Sequence, residues 1–257
     1  NPNMGVSVSP DFFLEEIAIA RNSLSKRAEF LTKYCNIKQS STQAWLPYDV
    51  VDAVTGDEYS LEDFRSSYCV GGIDLSQTTD LTACCVVIEK DGKLYTFTQF
   101  FMPRNRIAEL QAAEGVPYQL YVQQGLITPS GEHYVDYLDC FEWFVRLVEE
   151  YEILPLQVGY DRYSAQYLVQ QMSQYGFHMD DVYQGENLTP VIHEADGLLR
   201  EGTLRLGQNN LLKAHFLNTA MKHNLETRKI RPVKIESKCH IDGFVAVIDA
   251  LTVRQKW

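Results

Sequence analysis

The stretch from Val70 to Asp80, V-G-G-I-D-L-S-Q-T-T-D, limits what this chain can fold into more than any other. A short apolar run (Tyr68, Cys69, Val70, Ile73) ends in the carboxylate of Asp74. After a polar Ser-Gln-Thr-Thr turn, Asp80 opens a second run, Leu81 to Ile88. Both runs are rich in β-branched and small apolar residues, which predicts neighbouring strands joined by a turn. A third run, Lys93 to Phe101, follows across Asp91-Gly92, a dipeptide that favours a tight hairpin. The expected unit is a three-strand antiparallel meander with a carboxylate at the inner end of its first strand. An unpaired buried charge is costly, so Asp74 needs a cation, a hydrogen-bond network or a metal. Capping of the following turn is the plainer alternative.

Beyond the meander the pattern changes period. Residues 105–126 look helical and amphipathic, broken at Gly115 and Pro117, and a turn at 128–131 precedes a helix from about Asp136 to Tyr151. Leu154 to Tyr160 reads as a buried strand ending in Asp161, 164–175 as a helix and 181–184 as a short strand. Further helices are expected at 190–201 and 211–219, a short strand at 203–206, extended chain at 225–235, and a closing helix from Ile241 to Arg254. A meander followed by strand-helix units predicts an α/β fold with a mixed central sheet flanked by helices. An amphipathic helix opening at Pro10-Asp11, with Phe12, Phe13, Ile17 and Ala20 on one face, precedes all of this. Residues 28–67 read as a connecting arm with little core of its own. The expected division is a lead-in over 1–67 and a compact domain over 68–257.

Composition narrows the function. At 257 residues, 45% apolar and 22% charged, the chain has the make-up of a soluble globular protein, with neither a membrane-length apolar run nor a signal-like start. Its six cysteines lack metal-ligand spacing and sit mostly in apolar runs, as reduced cytosolic thiols do. A net charge of −11 argues against tight autonomous nucleic-acid binding. Yet Arg228, Lys229, Arg231, Lys234 and Lys238 fall close together against one acid, Glu236. Such a strip suits a weak, locally directed backbone binder, or simply a solvated basic edge.

Two more carboxylates stand where Asp74 would need them. If the strand ending in Asp161 lies parallel to and beside the first, the two meet at the carboxyl edge of the sheet, where open α/β sheets place their sites. Asp242 begins the closing helix. Helix capping is an alternative for each. Asp249 shares the face of Asp242 but lies about 10.5 Å further along the axis. Asp242 is therefore preferred, with Asp249 as an outer or salt-bridging residue.

These residues resemble the nuclease domain of the large terminase subunit of tailed bacteriophages, a member of the RNase H-like superfamily. The likeness rests on G-I-D-L-S-Q-T-T-D-L-T-A (72–83), V-G-Y-D-R-Y-S-A (158–165), the Asn209, Asn210 and Asn218 region, and K-C-H-I-D-G-F-V-A-V-I-D-A-L (238–251). The lead-in, with Asn1-Pro2-Asn3 and 30–36, is similar to the segment joining that family's ATPase and nuclease domains.

The resemblance implies a metal-dependent endonuclease that cuts concatemeric double-stranded DNA during viral packaging in the cytoplasm of the infected bacterium. Asp74, Asp161 and Asp242 match its three metal-binding acids, and Asp80 its additional one. No G-x-x-x-x-G-K-[ST] phosphate loop occurs, so the expected fragment is the nuclease half of a subunit whose ATPase domain lies elsewhere. A small terminase subunit and a portal are the further partners implied, and no membrane. Phosphodiester hydrolysis with oxygen ligands suits two Mg²⁺ or Mn²⁺ ions, about 3.5–4 Å apart in such sites. Asp74 would bridge them, with Asp161 and Asp242 on either side. Asp80 would act through water, Lys234 or Lys238 would contact the scissile backbone, and His240 would shuttle a proton. Another RNase H-like nuclease, such as a junction resolvase or transposase core, and a non-catalytic DNA-docking module are the alternatives.

Overall fold

The computed structural model describes residues 9, 12–14, 17, 30, 33–34, 44–75, 81–161, 166–224 and 226–256. Two compact units divide the chain, Asn1–Gln43 and Ala44–Trp257. In the first, 12–14 and 17 are helical as expected, and Phe13 packs against the rings of Phe30 and Tyr34. The rest of the expected opening helix, and the 35–36 end of the lead-in, lie outside the described residues.

The second unit is built on one sheet. Tyr68–Asp74 (β1), Thr82–Lys90 (β2) and Lys93–Met102 (β3) form the expected antiparallel meander, turning at Asp91 and Gly92, both with positive φ. Leu154–Asp161 (β5) lies parallel to β1, and Met179–Val182 (β6) parallel to β5. At the other edge Ile127–Pro129 (β4) and Leu204–Arg205 (β7) run parallel to β3. The order β4-β3-β2-β1-β5-β6 with β7 beside β3 is the mixed, helix-flanked sheet expected from the sequence.

Each face of the sheet carries its own apolar core, because side chains alternate along a strand. Cys69, Ile73, Cys84, Val86 and Ile88 pack under the helix Tyr137–Tyr151, on Phe144 and Leu147, and on Leu168 and Met172 of the helix Gln166–Tyr175. Val70, Ala83, Cys85 and Val87 face Ala246, Val247 and Ala250 of the closing helix Asp242–Arg254. That helix is apolar almost all round, as a helix sandwiched between a sheet and other helices must be. Its other cover is Thr189–Arg200 and Asn210–Leu217.

Three elements depart from the sequence-based layout. The segment 44–67, read as an arm, contributes Leu46, Val51, Val54 and Phe64 to the cores, and the Trp45 ring stacks on Phe216. Thr128 and Pro129, read as the start of a turn, instead belong to the edge strand Ile127–Pro129. Thr219, expected to end a helix, instead opens the strand Thr219–His223 (β8), which pairs antiparallel with Ile230–Lys234 (β9) in a separate hairpin.

Candidate functional site

Strand register brings the first two carboxylates together. Ile73 pairs with Tyr160 across the parallel β1/β5 interface, so Asp74 and Asp161 end adjacent strands at the same edge. The alternation of a strand also fixes the face. Gly72 and Gly159, two residues earlier, sit beneath the closing helix: a Cβ at Gly72 would lie 2.5 Å from the amide nitrogen of Ala250, and one at Gly159 would lie 2.7 Å from the carbonyl oxygen of Asp249. Asp74 and Asp161 share that parity and lie toward the helix that carries Asp242 and Asp249. Glycine at both positions lets backbone approach backbone, which brings the helical acids down to the strand ends.

The charges feel one another. Burial, then the negative charges of Asp242, Asp249 and Asp161, push the half-buried Asp74 carboxyl well above the usual carboxylate range, with Lys234 opposing. Asp249 is completely buried and is likewise pushed well up by burial and by Asp161, though Gln184 donates to it at 2.7 Å. Asp242 behaves oppositely. Burial pushes it up, but the neighbouring His240 and His215 rings outweigh this and hold it below its ordinary value. It is the first residue of the helix, where a negative charge also meets the positive end of the helix dipole. The cap position belongs to Ile241, and the Gly243 N–H is satisfied by His215 Nδ1 at 2.9 Å, so Asp242 is free of a capping duty.

His240 is 6% exposed, with Nε2 3.1 Å from a Glu114 oxygen and Nδ1 3.6 Å from Asp242 Oδ2. Burial lowers its pKa, and the two carboxylates raise it further than burial lowers it. His240 therefore backs Asp242 from behind. His215, which nothing in the sequence marked, is fully buried beside it, the rings stacked at 6.2 Å. Burial pulls His215 down to about 4, against Asp242.

Asp80 and the turn 76–80 lie outside the described residues, as do 162–165, on which capping by Asp161 would depend. Among the described residues, no three His, Cys, Asp or Glu side chains already enclose a metal-sized space. Mutually repelling carboxylates have no reason to close without a counter-charge, and Mg²⁺ habitually completes its shell with water and phosphate oxygen. The donor set itself fits such an ion. It is all hard oxygen, and the Asp242 and Asp249 Oδ2 atoms are buried without a hydrogen bond.

The basic strip is divided by the fold. Arg228 and Lys229 lie in the β8/β9 turn and Arg231 on β9, all exposed. Lys229 and Arg231 line a cleft of about 830 Å³ with Lys222, His223 and the 183–187 loop. Gln184, the partner of Asp249, lies in the same wall, so the cleft adjoins the carboxylates. Lys234 closes β9 and acts on Asp74, whereas Lys238 is exposed beside Glu236 at 3.6 Å. Cys69, Cys84, Cys85 and Cys140 are buried free thiols, and no described helix is long and apolar enough to cross a membrane.

Known proteins share this architecture. The sequence model of the family described as "Terminase large subunit, endonuclease domain" matches residues 1–256. Protein YmfN of Escherichia coli K12 is 23% identical over 265 residues, covering 98% of this chain and 57% of that protein. The crystal structure of the HK97 bacteriophage large terminase superposes with a TM-score of 0.72 at 20% identity, over 98% of this chain and 52% of that one. The large terminase nuclease of thermophilic phage G20c with bound magnesium superposes with a TM-score of 0.53 at 11% identity, over 83% and 98% respectively. These superpositions show a shared fold, and the chain spans about half the length of YmfN and of the HK97 terminase.

Proposed function

The chain belongs to the terminase large subunit endonuclease domain family, and from that premise we propose that it is a divalent-cation-dependent endodeoxyribonuclease that cuts concatemeric double-stranded viral DNA. The observation that carries this reading is the strand register that ends Asp74 and Asp161 at one edge of the sheet, on the face covered by the helix that carries Asp242 and Asp249. Assembling like charges from distant parts of the sequence opposes folding, and an ion in their midst removes the opposition.

Asp74, Asp161 and Asp242 would hold two Mg²⁺ or Mn²⁺ ions, with Asp80 acting through water. When bound, such ions supply a nucleophile at neutral pH and neutralise charge on the leaving oxygen. The chain's own groups do the rest. Asp74, on which Asp242, Asp249 and Asp161 all act, would be one of the ligands that hold the ions. Lys234 opposes its charge and would contact the scissile phosphate. His240, whose pKa the neighbouring carboxylates raise, keeps Asp242 ionised, so one ligand is ready at neutral pH. Lys229 and Arg231 in the adjoining cleft contact the DNA backbone, and Arg228 and Lys238 add to that contact from outside the cleft lining.

In the complete subunit, the segment before Ala44 would lead to the ATPase domain. A small terminase subunit and a portal complete the machine in the cytoplasm of the infected bacterium. The test is plasmid cleavage with Mg²⁺ or Mn²⁺: activity that disappears with EDTA and in Asp74→Ala supports the proposal, and undiminished cleavage by Asp74→Ala removes it.

A further inference from the structure

Glu114 stands at an unfavourable place for an acid. It is the last residue of the helix Arg106–Glu114, at the negative end of the helix dipole, and its side chain is only 14% exposed. A carboxylate so placed needs strong donors. It has two. The Tyr118 hydroxyl, at the start of the next helix, donates to Oε2 at 2.6 Å, and His240 Nε2 lies 3.2 and 3.1 Å from the two oxygens. The opposite ring nitrogen, Nδ1, then points at Asp242 Oδ2, 3.6 Å away, an oxygen that makes no hydrogen bond. A five-membered ring gripped at one nitrogen has little freedom at the other. The orientation of His240 is therefore set from Glu114, on an element remote in sequence from the carboxylates.

Resting on the metal-site reading above, we infer that Glu114 is a positioning residue for the cation site. It holds the His240 ring whose Nδ1 faces Asp242 Oδ2 and so orients that carboxylate electrostatically, and Tyr118 fixes Glu114 in turn. Outer residues of this kind orient ligands, and their loss typically weakens metal binding about 10- to 100-fold. The geometric role is separable from a charge role. Glu114→Gln keeps the length and an acceptor oxygen for Nε2–H, whereas Glu114→Asp keeps the charge but withdraws the oxygen by one methylene.

The experiment is calorimetric titration of Mn²⁺ into the 257-residue chain and its Glu114→Asp, Glu114→Gln and Glu114→Ala variants, with melting in EDTA recorded for each. Expected are affinities about 10- to 100-fold weaker for the Asp and Ala variants and near wild type for Gln, without a matching loss of melting temperature in the Asp variant. Wild-type affinity in Glu114→Asp, with weakening only in Glu114→Gln, overturns the inference. Absence of Mn²⁺ uptake by the unsubstituted chain would instead count against the metal-site reading itself.

Discussion

A Cβ on Gly72 would stand 1.9 Å from the carbonyl oxygen of Ala246, so the closing helix rests directly on the backbone of the strand that ends in Asp74. No side chain lies between them to give way. The separation of Asp74 from the helical acids is thus set by two backbones.

Gly72→Ala is expected to lower stability by about 1–3 kcal/mol through overpacking, and to weaken Mn²⁺ binding as the helix lifts. Gly197→Ala is the matched control, since a Cβ there meets nothing within 4 Å in mid-helix. It should gain about 0.5–1 kcal/mol. Urea midpoints of the two variants, moving in opposite directions, are the check.

The fold is legible in the sequence where local chemistry decides it. Asp91-Gly92 between alternating runs specifies the first hairpin, and the strand ending in Asp161 is readable from its apolar run. What the residues do not show alone is pairing across distance. Only the register that sets Ile73 against Tyr160 establishes that β5 lies parallel beside β1. Thr219 reads as the end of a helix because Leu211–Phe216 continues to it without a breaker, and only the partner strand Ile230–Lys234 makes Thr219–His223 β. Spacing along one helix sets Asp249 apart from Asp242. The structure adds the approach of two strands to that helix, and Asp249 is fully buried, bonded to Gln184, and acting on Asp74. Glu114 and His215 carry no signal in the sequence, since neither lies near an acid of the site along the chain.

Acid should cost stability through His215. Burial lowers its folded pKa to about 4 from an ordinary 6.5. Between those values the unfolded chain binds the extra proton and the folded one does not, so stability falls as pH drops through 6.5 toward 4. His215→Asn, which retains an acceptor for the Gly243 N–H, should lose less over that window in urea titrations.

Asp249 has the opposite sign. Its folded pKa is raised above 3.8, so above that value the unfolded chain releases its proton first and stability declines with rising pH. In EDTA, Asp249→Asn should be more stable than wild type at pH 7, and the difference should vanish toward pH 4. Equal stability of the two at pH 7 would show that the Asp249 charge is already compensated.

DNA affinity should depend on the cleft more than on net charge. Arg231→Ala or Lys229→Ala is expected to weaken duplex binding at all sequences. Each should flatten the dependence of log K on log salt by about 0.9, the slope that one neutralised phosphate contributes. Lys238 lies outside the cleft lining, so Lys238→Ala should change both less. Fluorescence anisotropy across a salt series measures them.

The convergence of the carboxylates on a cation is most directly tested by anomalous diffraction from crystals soaked in Mn²⁺. The expected result is density enclosed by the carboxylates of Asp74, Asp161 and Asp242 at the carboxyl edge of β1 and β5. Ordered Mn²⁺ found only elsewhere, with those three side chains each bonded to protein groups, would contradict it.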